Sequence, residues 1–182
     1  MADLKLLTIS GSLRKGSYNR MLLREAANAF GPADVAQANL HLPLYDGDLE
    51  DAEGIPEAVQ TLADQIRDTD AIVIASPEYN KGIPGVLKNA LDWVSRVPGG
   101  VLKNKPTIVI SAAAGRTGGE TAQFMVLSCL AQLQVRLLLG PAVLVAGAAK
   151  EFDADGTLTN DRYKDTLTTR MQALRAEVEH GA

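Results

Sequence analysis

The 182 residues carry 46% hydrophobic and 22% charged side chains, a balance that can bury a core and excludes a disordered chain. With 18 basic and 22 acidic side chains the formal net charge is -4. Lys and Arg are scattered singly, so neither nucleic acid nor a membrane surface is an expected partner. One cysteine, Cys129, excludes an internal disulfide, and two histidines, His41 and His180, are too few for a Cys/His metal centre, so a cytoplasmic chain is expected. The amino-terminal MADLKLLTIS lacks the basic region and cleavage site of a leader, and no apolar run reaches membrane-spanning length.

Taken in order, Leu4 to Ile9 is an apolar run closed by Ser10-Gly11-Ser12, the profile of a buried strand entering a turn. Leu23, Ala26, Ala27 and Phe30 then share one face of a helix. Asp34 to Leu40 is a weaker second strand, and HLPLYDGDLEDAEG after it reads as irregular. Pro56 opens a helix carrying Val59, Leu62, Ala63 and Ile66. Ala71 to Ala75 is a β-branched core strand, followed by a helical stripe of Ile83, Val86, Leu87, Ala90, Leu91 and Val94. Thr107 to Ile110 is the fourth strand, Glu120 to Leu133 a largely apolar helix, and Val135 to Val145 a long last strand containing Gly140-Pro141. Asp155-Gly156 marks a tight turn before a final helix lined by Tyr163, Leu167, Met171, Leu174 and Val178.

Five strands alternating with five helices imply one α/β domain over residues 1–182, a doubly wound parallel sheet with helices on both faces. Ligands of such sheets bind at the carboxyl ends of the strands, near the switch in strand order. Three loops at that edge therefore stand out. The first, SGSLRKGSYNR, combines Gly11 and Gly16, the hydroxyls of Ser10, Ser12 and Ser17, the cations Arg14 and Lys15, and Asn19 at a helix start. That is the composition of a phosphate cradle on helix amides. It matches neither the P-loop nor the dinucleotide fingerprint, and alone it also fits a polar turn with a Ser/Asn cap. The second, SPEYNKGIPG, is held in a fixed path by Pro77, Pro84, Gly82 and Gly85 and places Tyr79 outside any apolar face, which suits a flat heteroaromatic ligand or a covered sheet edge. The third, SAAAGRTGG, lacks bulk and can approach a ligand with backbone N–H groups, or serve as a tight turn before a buried helix.

GSLRKGSYN followed by SPEYNKGIPGVLKNALDWVSR, with the SAAAGRTGG loop and the overall length, resembles the NADPH-dependent FMN reductase family, which includes bacterial quinone and chromate reductases. The resemblance implies a flavodoxin-like sheet of order 2-1-3-4-5, bound FMN, and ping-pong reduction of quinones, flavin or chromate by NADPH or NADH. It places Ser12, Arg14, Ser17 and Asn19 on the FMN phosphate, Pro77, Glu78, Tyr79 and Asn80 against the ring, and Ser111 with Gly115 at the ring's other edge. An electron-carrying flavodoxin and a phosphate-binding α/β domain without flavin are the alternatives. A ring site at a domain surface needs further walls, so a homodimer or homotetramer is expected, with Trp93 on the helix beside the site as a candidate contact. Other features have plainer readings: Asp46 to Glu53 as a solvated acidic loop, Cys129 as a buried side chain, and Asp92 with Arg96 as a helical ion pair.

Overall fold

Short apolar strands bounded by amphipathic helices bury both sheet faces only when helices cover each side. The computed structural model, which describes residues 4–180, has that arrangement. The elements run β1 (Lys5–Ser10), α1 (Tyr18–Phe30), β2 (Asp34–Gln37), α2 (Gly47–Glu53), α3 (Glu57–Asp68), β3 (Ala71–Ala75), α4 (Gly85–Arg96), β4 (Pro106–Ala113) and α5 (Glu120–Gln132). They continue with β5 (Arg136–Leu137), β6 (Leu144–Ala146) and α6 (Asp161–His180). The sheet order is β2-β1-β3-β4-β5, all parallel, with β6 also paired to β4. Among the described residues no helix is long and apolar enough to cross a membrane.

The period of two in the strands divides the core. Leu7, Ile9, Ile72, Ile74 and Val109 face α3, α4 and α5, whereas Leu6, Ala71, Val73, Ile108 and Ile110 face α1 and α6. Since β1 is flanked by β2 and β3, the loops leaving β1 and β3 run to opposite faces, and a crevice opens between them.

Several expectations change on folding. The long last strand is broken: β5 and β6 both lie along β4, and the chain bulges out between Leu138 and Val143. Pro141 lacks a ladder N–H. The buried Arg170 guanidinium on α6 fills the space a Cβ on Gly140 would need, donating to the carbonyls of Leu138 and Leu139. Six strand segments thus fill five positions. β4 extends to Ala113 because its second half pairs with β6, while β2 stops at Gln37.

The acidic stretch is not a loop. Asp46 caps α2 by accepting from the Asp48 amide at 3.0 Å, and Asp48 and Glu50 sit in a first turn that favours anions. This segment lies along α4. Glu50 accepts from Arg96 Nε at 2.8 Å, so Arg96 pairs across 46 positions, and Asp92 pairs instead with Lys88 at 2.6 Å. Trp93 is fully buried: its Nε1 donates to the Pro43 carbonyl at 2.8 Å and Tyr45 meets its ring edge-on. Trp93 is therefore a core residue and no subunit contact. Cys129 is half-buried at a groove between α4 and α5.

Arg170→Leu removes both donors from the bulge. The expected cost is about 1–3 kcal/mol, the range for stranding hydrogen-bonding groups, read as a lower urea midpoint at unchanged slope. An unchanged midpoint would show that the bulge holds without Arg170.

Candidate functional site

The crevice is built first at the amino end of α1. Ser17 caps the helix, its Oγ accepting from the Asn19 amide at 3.2 Å. Ser12 is buried; its Oγ accepts from the Arg14 amide and lies 3.4 Å from the Tyr79 hydroxyl. Arg14, Lys15 and Gly16 are exposed, and space around Gly16 is open for 4 Å. Two serine hydroxyls and two cations lie at this helix start, donors of the kind a phosphate requires, while the Asn19, Arg20 and Met21 amides are already taken up by Ser17.

Asn19 has a second task. Its Nδ2 donates to the Ala112 carbonyl at 2.7 Å and its Oδ1 accepts from the Ala112 amide at 3.0 Å. One amide hydrogen remains for a ligand, while the rest of the group ties α1 to the end of β4.

The loop after β3 makes the next wall. Pro77 is buried and stands 3.1 Å from where a Gly11 Cβ would be, which is why the first loop needs glycine there. Tyr79 and Gly82 exchange backbone hydrogen bonds of 3.2 and 3.0 Å around Asn80 (φ +50°) and Lys81 (φ +63°). Two left-handed residues in a two-residue connection make a type I′ turn, a conformation easy for Asn and strained for Lys. Tyr79 is 49% exposed, so a ring-sized apolar surface faces outward beside the cradle.

Glu78 points the other way. Helix α5 starts after Gly119, which has no side chain to cap it, and the Glu78 carboxylate accepts from the Ala122 amide at 3.2 Å. Lys81 Nζ is 3.2 Å from its other oxygen. Burial pushes the Glu78 carboxyl up, but the Ala122 amide and the Lys81 ammonium together outweigh it and hold its pKa below the usual value.

The third loop divides in two. Ser111 belongs to β4, fully buried, its hydroxyl donating to the Ser76 carbonyl at 2.7 Å. It braces the second loop from beneath and does not reach the crevice surface. Gly118 (φ +63°) and Gly119 (φ +91°) are pressed against Leu144 and Ser111, where any Cβ would collide. Gly115 is exposed with nothing within 4 Å. The structure sets Ser12, Arg14, Ser17 and Asn19 at the start of α1, Pro77, Tyr79 and Asn80 on the loop after β3 and Gly115 on the loop after β4, all at one edge of the sheet, and turns the side chains of Glu78 and Ser111 to support. Sequence reasoning missed the exposed Phe124 and Met125 on α5, beside the Tyr79–Gly82 turn through Met125. The signal was present: ETAQFMVLSCLAQ is apolar around its whole circumference.

A parallel sheet of this order, with an anion cradle beside its switch point, defines a flavodoxin-like α/β protein. The family described as NADPH-dependent FMN reductase matches residues 4–150, and the chain belongs to that family. It is 42% identical over 175 residues to an NAD(P)H-dependent FMN reductase of Pseudomonas aeruginosa, covering 95% of this chain and 94% of that one. It is 36% identical to a quinone reductase of Escherichia coli, covering 94% and 93%. Among solved structures, the flavoenzyme NAD(P)H:(acceptor) oxidoreductase of Paracoccus denitrificans superposes with a TM-score of 0.86 at 30% identity, covering 97% of each chain.

The depressed Glu78 pKa makes stability depend on pH. Its contribution is complete above the ordinary carboxylate range near pH ~4.3 and is lost as pH falls through the lower folded value. Urea unfolding should therefore find Glu78→Gln less stable than wild type at neutral pH, with the gap closing under acid. A gap that stays constant with pH would rule out the carboxylate cap.

Proposed function

We propose that this chain is a single FMN-binding domain that oxidises NADPH or NADH and reduces quinones, with free flavin or chromate as further acceptors, in the cytoplasm. The observation that carries this reading is the phosphate cradle at α1 set beside an exposed aromatic turn, with open space at Gly16 and Gly115.

The residues present fit FMN. Ser12, Ser17 and the remaining Asn19 hydrogen donate to the phosphate, and Arg14 with Lys15 balances its charge. Pro77, Tyr79 and Asn80 form the wall for the ring, held in place by the Glu78 cap on α5 and by Ser111 beneath Ser76. Gly115 leaves room for the ring's other edge. Bound FMN supplies hydride acceptance and electron delivery, and a donor and acceptor sharing one exposed face would work in ping-pong order; the protein supplies position and charge.

A second copy completes the site in this reading. Phe124 is 65% and Met125 42% exposed, and the Met125 sulfur lies 3.8 Å from a Cβ position on Gly82. An apolar face continuous with the ring-side turn needs cover, and a homodimer or homotetramer provides it.

Added FMN should turn the purified protein yellow, and the complex should oxidise NAD(P)H directly, which a pure electron carrier would not do. Arg14→Ala should weaken FMN binding by about 1.5–3 kcal/mol, the range for a hydrogen bond to a charged group. Protein that stays colourless with FMN would sink the reading. For the assembly, light scattering should report a mass above 19.3 kDa at micromolar concentration, and Phe124→Lys should lower it. A monomeric wild type would reject the covered face.

A further inference from the structure

We propose that Arg116 recognises a phosphate group of the dinucleotide donor; this rests on the FMN reductase reading above. The edge of the sheet that carries the crevice holds Arg14, Lys15, Arg20, Lys81, Arg116 and Lys150. Their partners separate them. Lys81 is paired with Glu78 at 3.2 Å, and Arg20 Nε donates to the Ser12 carbonyl at 3.4 Å. Arg14 and Lys15 flank the start of α1, where one phosphate monoester of about two negative charges takes up their charge.

Lys150, exposed just beyond β6, has no ion pair among the described residues, so Arg116 is one of two cations left over on the wall built by β4 and β6, and the one that carries a guanidinium. It is exposed and makes no ion pair or hydrogen bond among the described residues. The nearest acid in sequence, Glu120, opens α5 and does not pair with it, and the Glu78 carboxylate is engaged by Ala122 and Lys81. Its backbone is nevertheless fixed. The Gly115 carbonyl accepts from the Gly118 amide at 3.3 Å and the Gly147 amide at 3.2 Å, and Gly118 and Gly119 are pinned against Leu144 and Ser111.

Position and charge then point to the donor. Four residues span no more than about 14 Å of extended chain, and Ala112 is clamped to Asn19, so the Arg116 backbone lies within that reach of the first turn of α1, on the loop that leaves β4. A chain of net charge -4 repels an anionic dinucleotide as a whole. A cation at the mouth reverses the local sign where the donor enters. The guanidinium fork also matches phosphate oxygens two at a time, which an ammonium cannot do. A donor phosphate can be the 2′-phosphate of NADPH or the pyrophosphate common to both nicotinamides.

The test uses FMN-loaded wild type, Arg116→Gln and Arg116→Lys, with NADPH and NADH as donors, and calorimetric titration of 2′-phospho-ADP-ribose and ADP-ribose. Arg116→Gln should raise KM for NADPH by about tenfold, the order for one charge-assisted hydrogen bond, more than it changes kcat. Binding of 2′-phospho-ADP-ribose should weaken to match, FMN affinity should stay at the wild-type value, and Arg116→Lys should fall between. A loss confined to NADPH and 2′-phospho-ADP-ribose assigns the 2′-phosphate, and an equal loss with NADH and ADP-ribose assigns the pyrophosphate; both support the proposal. Unchanged KM and unchanged probe binding in a yellow, active protein would overturn it, as would loss of FMN affinity, which would put Arg116 in the cofactor cradle. A colourless wild type is a different failure, because it overturns the reading beneath.

Discussion

The site depends on one buried amide. Asn19 reads both backbone groups of Ala112 at 2.7 and 3.0 Å, and it sits at the first turn of α1 while Ala112 sits near the end of β4. Two hydrogen bonds made inside the protein hold more firmly than the same bonds in water, because the alternative is an unmet polar group. Ser12, Arg14 and Ser17 lie at the start of α1, and the loop that carries Gly115 and Arg116 leaves β4. Without that clamp the two could slide independently.

The remaining contacts repeat the pattern between other pairs of loops. Ser111 reaches Ser76, Glu78 reaches Ala122, and Gly11 lies under Pro77. Ser111 and Glu78 spend their side chains on the neighbouring loop, and Gly11 gives up a side chain so that Pro77 can close on it. Preorganisation of this kind lowers the ordering cost of binding, since the cradle is in place before a ligand arrives. The chemistry is then left to what is bound, and the chain's task is geometric.

The layering of this fold was legible because local periodicity decides it. Alternation of two in β3 and three-to-four spacing in α1, α3 and α4 assign each apolar side chain to one core or the other. The three loops were legible for the same reason, as gaps in that pattern filled by Ser, Gly and Arg. What stayed hidden were choices of distant partner. Nothing near Trp93 says that Pro43, 50 positions away, will accept its hydrogen bond. Arg96 looked like a partner for Asp92 until Glu50 was carried in on a helix where an irregular stretch was expected. Ser111 is hydrophilic by composition and fully buried by topology. The break in the last strand requires an arginine 31 positions downstream of Leu139.

That break also bears on how copies of the chain coexist in concentrated solution. A long, flat outer strand offers a continuous row of unpaired amides and carbonyls to any other strand that drifts past. Here the outer position beyond β4 is filled by a two-residue and a three-residue segment, with Gly140 and Pro141 pushed outward between them. The opposite border, β2, is only four residues long. Neither margin presents enough register for a foreign strand to zip onto, so edge-to-edge pairing between molecules is disfavoured.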